Sequence, residues 1–166
     1  IYVWEKHKGM LHENEAAQIL YEICAGEHMY PSEVKEGKIE VIADHDGLLT
    51  IDREHLRAVN ALGEMMIATR HSHTPVRKGD ELAGTRVIPL VIAQEKMQQA
   101  QAVAGDTPLL QLHPFRPLKA GIITTGSEVY RKRIPDAFTP VIEEKMAEYG
   151  CTVLRKTVLS DAHEDI

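Results

Sequence analysis

Apolar and polar positions alternate with two periods along this chain, and the changes of period predict its elements. From His12 to Ala25 the apolar residues Ala16, Ile19, Leu20 and Ile23 recur at the spacing of one helical face, and Gly26 suits a terminator. Ahead of it, Ile1-Tyr2-Val3-Trp4 reads as a strand. Lys38–Ala43 and Gly47–Ile51 are short β-like runs joined by Asp44-His45-Asp46-Gly47, whose Asp-Gly step predicts a hairpin with these residues at its tip. Asp52 is suited to cap a helix over Arg53–Asn60, with Leu56 and Val59 inward and Gly63 as the stop. Glu64–Arg70 reads as a strand, followed by Thr74-Pro75-Val76 and a turn at Lys78-Gly79-Asp80. Leu82–Ile92 is β-like, broken by Gly84 and Pro89 as at bends or an edge. Glu95–Ala104 is a polar helix, and Leu109–Leu112 a further strand.

The pattern changes after His113-Pro114-Phe115-Arg116-Pro117, where two prolines predict a stiff connector. Leu118–Thr124 is an apolar strand, and a second strand is expected over about Cys151–Val158. Between them Phe138, Val141, Ile142, Met146 and Tyr149 mark one helical face, with Thr139-Pro140 as N-cap and first helical residue and Gly150 as the end. Parallel strands require such a crossover, so the two are expected to be neighbours in one sheet. The expected fold class is α/β. A small N-terminal α+β module (1–112) and a linker (113–117) precede the opening βαβ unit of a doubly wound parallel-sheet domain (118–166).

Composition narrows the function classes. A chain of 166 residues that is 43% hydrophobic and 27% charged can fold around a core. A net charge of −6 argues against nucleic acid as a partner. No apolar run is long enough to span a bilayer and no signal peptide is visible, so no membrane role is expected. Cys24 and Cys151 stand alone, which fits a reducing, cytoplasmic setting, with Cys24 as a small buried hydrophobe. The chain starts at Ile1 and holds little beyond its last strand, so it reads as a fragment of a longer protein.

The candidate chemistry lies where the strand Leu118–Ile123 runs into Thr124-Thr125-Gly126-Ser127-Glu128. Open α/β sheets place ligand sites at the carboxyl ends of parallel strands. Small residues with hydroxyls and free backbone N–H groups there form a phosphate cradle. Other motifs read more plainly. His71 and His73 read as a solvated pair without a third ligand, and Asp44–Gly47 lacks the length and closing Glu of a calcium loop. Arg131-Lys132-Arg133 gains interest only from its place beside the Thr-Gly-Ser loop.

Thr125-Gly126-Ser127-Glu128, Asp136, the helix ending at Gly150 and Val158-Leu159-Ser160-Asp161 occur in an order that resembles the first third of the molybdopterin-binding domain of molybdenum-cofactor biosynthesis proteins. Ser127 stands where that family usually carries Asp, and the family's second glycine-rich motif is expected beyond residue 166. The resemblance implies a phosphorylated pterin, molybdopterin, as ligand and cofactor. Thr124, Thr125, Gly126 and Ser127 would bind it together with Asp136, which by itself reads as a helix-entry or turn residue, and Arg131 or Lys132 would add charge toward its phosphate. Glu128 and Asp161 would be the catalytic and metal-holding carboxylates, for Mg²⁺ or molybdate. The implied reactions are adenylyl transfer to the pterin phosphate or molybdate insertion. A non-catalytic pterin sensor or carrier and a nucleotide-processing enzyme of the competence-damage type remain alternatives, and homo-oligomerisation is left open.

Overall fold

The computed structural model describes residues 8–161. The chain divides into two compact units, Ile1–Pro114 and Phe115–Ile166. The strand expected at Ile1–Trp4 lies outside the described residues.

In the first unit, β1 (Met10–His12) leads into α1 (Glu13–Cys24). His12 caps this helix: its Nδ1 accepts from the Asn14 N–H, while Glu15 reaches back to the His12 N–H. Then come β2 (Met29–Pro31), β3 (Lys38–Ala43), β4 (Gly47–Ile51), α2 (Arg53–Ala61), β5 (Met65–Thr69), β6 (Thr74–Val76), β7 (Glu81–Val87), β8 (Val91–Ala93), α3 (Gln94–Ala104) and β9 (Leu110–Pro114). These strands form an antiparallel sheet in the order β2-β3-β7-β5, a second in the order β6-β4-β9, and a β1-β8 pair. Leu20, Ile39, Val41, Leu49, Val59, Leu82, Val87, Ile92, Met97 and Leu110 are buried between helices and sheets. Burying apolar surface of this kind is the main stabilising contribution to a fold.

Two expectations are corrected here. Lys38–Ala43 and Gly47–Ile51 do not form a hairpin: β3 pairs with β2 and β7, whereas β4 pairs with β6 and β9. Asp44–Asp46 is therefore a corner between two sheets. The Ala43 N–H donates to the Asp80 carbonyl and the Gly79 N–H to the Ala43 carbonyl, so that end of β3 is already satisfied. Asp46 Oδ1 accepts from the Lys78 N–H at 2.7 Å and Asp44 pairs with Lys78 Nζ, which joins the corner to the Lys78–Asp80 turn. Gly84, in turn, does not break its strand. It sits inside β7 opposite both Glu40 and Ala68, and the interruption comes at 88–90, around Pro89.

The expected linker also begins later than its prolines suggest, since His113 and Pro114 end β9 and pair with Leu48 and Gly47. The second unit holds β10 (Lys119–Thr125), α4 (Ser127–Tyr130), α5 (Phe138–Glu148) and β11 (Thr152–Leu159). β10 and β11 pair in parallel, from Lys119 opposite Thr152 to Thr125 opposite Leu159. The helical face read from the sequence is largely open: Phe138 is 74% and Val141 61% exposed. No described helix is long and apolar enough to cross a membrane.

Two outcomes follow from this packing. A Cβ at Gly47 would meet the His113 carbonyl oxygen at 2.5 Å and carbon at 2.9 Å, so one of the two backbones must shift. Gly47→Ala is expected to cost about 1–3 kcal/mol in denaturant unfolding, the usual scale of overpacking; an unchanged midpoint would contradict the close β4–β9 approach. Burial pushes the Cys24 thiol up to about 12, whereas Cys151 is partly exposed. The thiolate is the reacting form. A disulfide reagent at pH 8 should therefore label Cys151 in the folded protein and reach Cys24 only on unfolding.

Candidate functional site

The parallel register decides what meets at the end of the second sheet. Thr125 lies opposite Leu159, so Gly126-Ser127 and Ser160-Asp161 leave the two strands side by side. The Gly126 N–H donates to the Leu159 carbonyl at 3.0 Å. The Ser127 N–H donates to Asp161 Oδ2 at 3.1 Å, and the Asp161 N–H donates to Ser127 Oγ at 3.2 Å. This reciprocal pair starts the single turn α4, which was not foreseen in the sequence.

The alternation of strand side chains sends Thr124 and Thr125 to opposite faces. Thr124 faces α5, where its hydroxyl lies 2.7 Å from Thr139 Oγ1. The Thr139 hydroxyl in turn donates to Asp136 Oδ2. A hydroxyl has one proton, so the chain runs Thr124 to Thr139 to Asp136. Asp136 Oδ1 also accepts the Phe138 and Thr139 N–H groups at 3.0 Å each. The N-terminus of α5 is thus capped by Asp136. Thr139, expected to be the cap, is a buried residue within the helix. Pro140 still costs no hydrogen bond, because it lies in the first turn, where N–H groups have no helical partner.

The cradle therefore differs in its donors from the one read in the sequence. Two of its backbone N–H groups, those of Gly126 and Ser127, are spent inside the protein. Thr124 and Asp136 are engaged with Thr139. The groups facing outward are the exposed Thr125 hydroxyl, the Ser127 O–H proton, the Glu128 carboxylate and Asp161 Oδ1, with Arg131, Lys132 and Arg133 exposed just beyond α4. No three His, Cys, Asp or Glu side chains converge as a metal site among the described residues. His71 and His73 are exposed in the first unit.

The Thr139 hydroxyl and then the Thr139 N–H hold the Asp136 carboxyl below its ordinary value. A depressed carboxylate adds stability that is present above its unfolded pKa and is lost as pH falls through the folded one. Asp136→Ala should lower the melting temperature at neutral pH. The gap from wild type should close as pH drops below the ordinary carboxylate range, as followed by circular dichroism. A gap that persists at low pH would show that Asp136 acts through something other than its charge.

Residues 121–166 match the family described as "Probable molybdopterin binding domain", which makes this segment similar to domains of molybdenum-cofactor biosynthesis proteins. No curated protein matches the chain.

Proposed function

We propose that the second unit supplies the phosphate-facing part of a molybdopterin site in molybdenum-cofactor biosynthesis. The observation that carries this reading is the junction of Ser127 and Asp161 at the carboxyl ends of two parallel strands, inside the segment that matches the family. The donors present suit a phosphorylated pterin. Thr125 and Ser127 would donate hydroxyl protons to the phosphate, and Arg131 or Lys132 would add positive charge. Asp136 and Thr124 would act one step back, by fixing α5 and the end of β10 around the loop.

Glu128 and Asp161 would hold a hard cation beside that phosphate. Two carboxylates are too few to satisfy Mg²⁺, so its remaining ligands would be phosphate oxygens and water. Bound there, the cation would neutralise charge on the phosphate; molybdate would be a substrate of the same site. Adenylyl transfer to the pterin phosphate and molybdate insertion are the two reactions we assign to such a site. Either requires these residues to orient the phosphate and keep its charge balanced.

Calorimetric titration of molybdopterin into the protein, with and without Mg²⁺, tests this. Ser127→Ala should weaken metal-free binding by about 0.5–1.5 kcal/mol, the net worth of one hydroxyl hydrogen bond. Glu128→Gln and Asp161→Asn should leave metal-free binding near wild type and abolish the gain on adding Mg²⁺. Asn keeps an acceptor for the Ser127 N–H, so the loop stays tied. Absence of binding by the wild type under both conditions would refute the reading.

A further inference from the structure

The first unit carries a cavity of about 460 Å³ whose lining includes Arg53, Arg57, Arg70, His71, Ser72 and His73, and among the described residues no lining side chain is Asp or Glu. In a chain of net charge −6 this concentration of cationic side chains is local. Arg53 and Arg57 stand one turn apart on α2, and neither forms an ion pair among the described residues. Like charges at that spacing repel and weaken a helix, unless an anion lies between them. Arg70 follows β5 and gives one nitrogen to Asp80, Nη1 to Oδ2 at 3.1 Å, which leaves the rest of its guanidinium free to donate.

The turn at 71–73, which also lines the cavity, is held in place by its own hydrogen bonds. The His73 N–H donates to the Leu49 carbonyl at 2.7 Å, with the backbone at φ +62°. Ser72 Oγ accepts the Ile51 N–H at 3.0 Å and bonds His73 Nδ1 at 3.1 Å. The turn is thereby pinned to β4, and His73 Nε2 has no hydrogen-bond partner among the described residues. Guanidinium forks that line one cavity with a pinned imidazole match the oxygens of a phosphoryl group.

We propose that this cavity binds a small phosphorylated ligand, with Arg53 and Arg57 as its principal contacts. The site lies wholly in the first unit and does not rest on the proposed pterin site.

Pyrophosphate and inorganic phosphate, titrated calorimetrically into the full chain at low salt, are the probes. The double variant Arg53→Gln/Arg57→Gln should bind pyrophosphate at least about tenfold more weakly, as expected for losing charge-assisted hydrogen bonds. Gln sustains a helix nearly as well as Arg, so α2 should persist by circular dichroism. The ring protons of His71 and His73, which line this cavity, give the local readout that separates it from the Thr-Gly-Ser loop. In wild-type protein, pyrophosphate should also shift the ring-proton resonances of His71 and His73. The proposal is overturned if wild type does not bind pyrophosphate, if those resonances stay still, or if Arg86→Gln outside the cavity costs as much as the double variant. Binding of heparin without binding of pyrophosphate would also overturn it, in favour of a polyanion surface.

Discussion

Two parallel strands can be neighbours only when the chain between them crosses back along their length, so both then end on the same side of the sheet. In the second unit, this constraint brings the residues after β10 and those after β11 together, although they are far apart in sequence. Thr125 opposite Leu159 is the last rung, and the Ser127–Asp161 exchange of hydrogen bonds follows directly from it. A one-residue slip would turn Thr124 away from Thr139 and unmake the chain to Asp136. Loop, helix cap and candidate carboxylates all depend on that register.

The same contacts limit how the loop can meet a ligand. A phosphate cradle built on backbone N–H groups needs those groups unpaired, yet the Gly126 and Ser127 N–H groups already have acceptors. A bound anion can use side-chain donors or displace the Asp161 carboxylate from Ser127. The first route keeps Asp161 as a fixed acceptor; the second would couple anion binding to release of that carboxylate toward a cation. Both routes make Asp161 a positioning group for the loop as well as a charge, which the sequence alone did not disclose.

Local signals were legible where local chemistry decides the outcome. Asp52 caps α2 as its side-chain chemistry predicts, accepting the His55 N–H at 3.1 Å, and the apolar stripe of α1 faces the core. The β10–α5–β11 crossover was likewise readable, because a strand, an amphipathic stretch and a strand in that order admit few arrangements. The Asp46-Gly47 hairpin signal failed because pairing partners are set by the sheets: β9, more than sixty residues away, competes for the edge of β4 that β3 would have taken. Asp136, and not the expected Thr139, caps α5 for a related reason. Either can cap a helix, and the tie to Thr124 across the fold selects Asp136 as the acceptor at the end of the chain. His12 as a cap was hidden because histidine is not among the usual capping residues.

The two units differ in what their described residues bury. Every fully buried apolar side chain among the described residues precedes His113, whereas the buried residues of the second unit are Thr139 and Ser160. Within the second unit, named side-chain hydrogen bonds tie the ends of the strands to the loop and to α5. Those bonds converge on the candidate site: the Thr124–Thr139–Asp136 chain on one side and the Ser127–Asp161 pair on the other. Linked hydrogen bonds reinforce one another, and loss of one partner leaves the next unsatisfied. The geometry of the loop and the start of α5 therefore rest on the same few polar contacts. A ligand that binds only the ordered loop would stabilise the whole unit by mass action. Conversely, substitutions at Thr139 or Asp136 would reach the loop without touching any ligand.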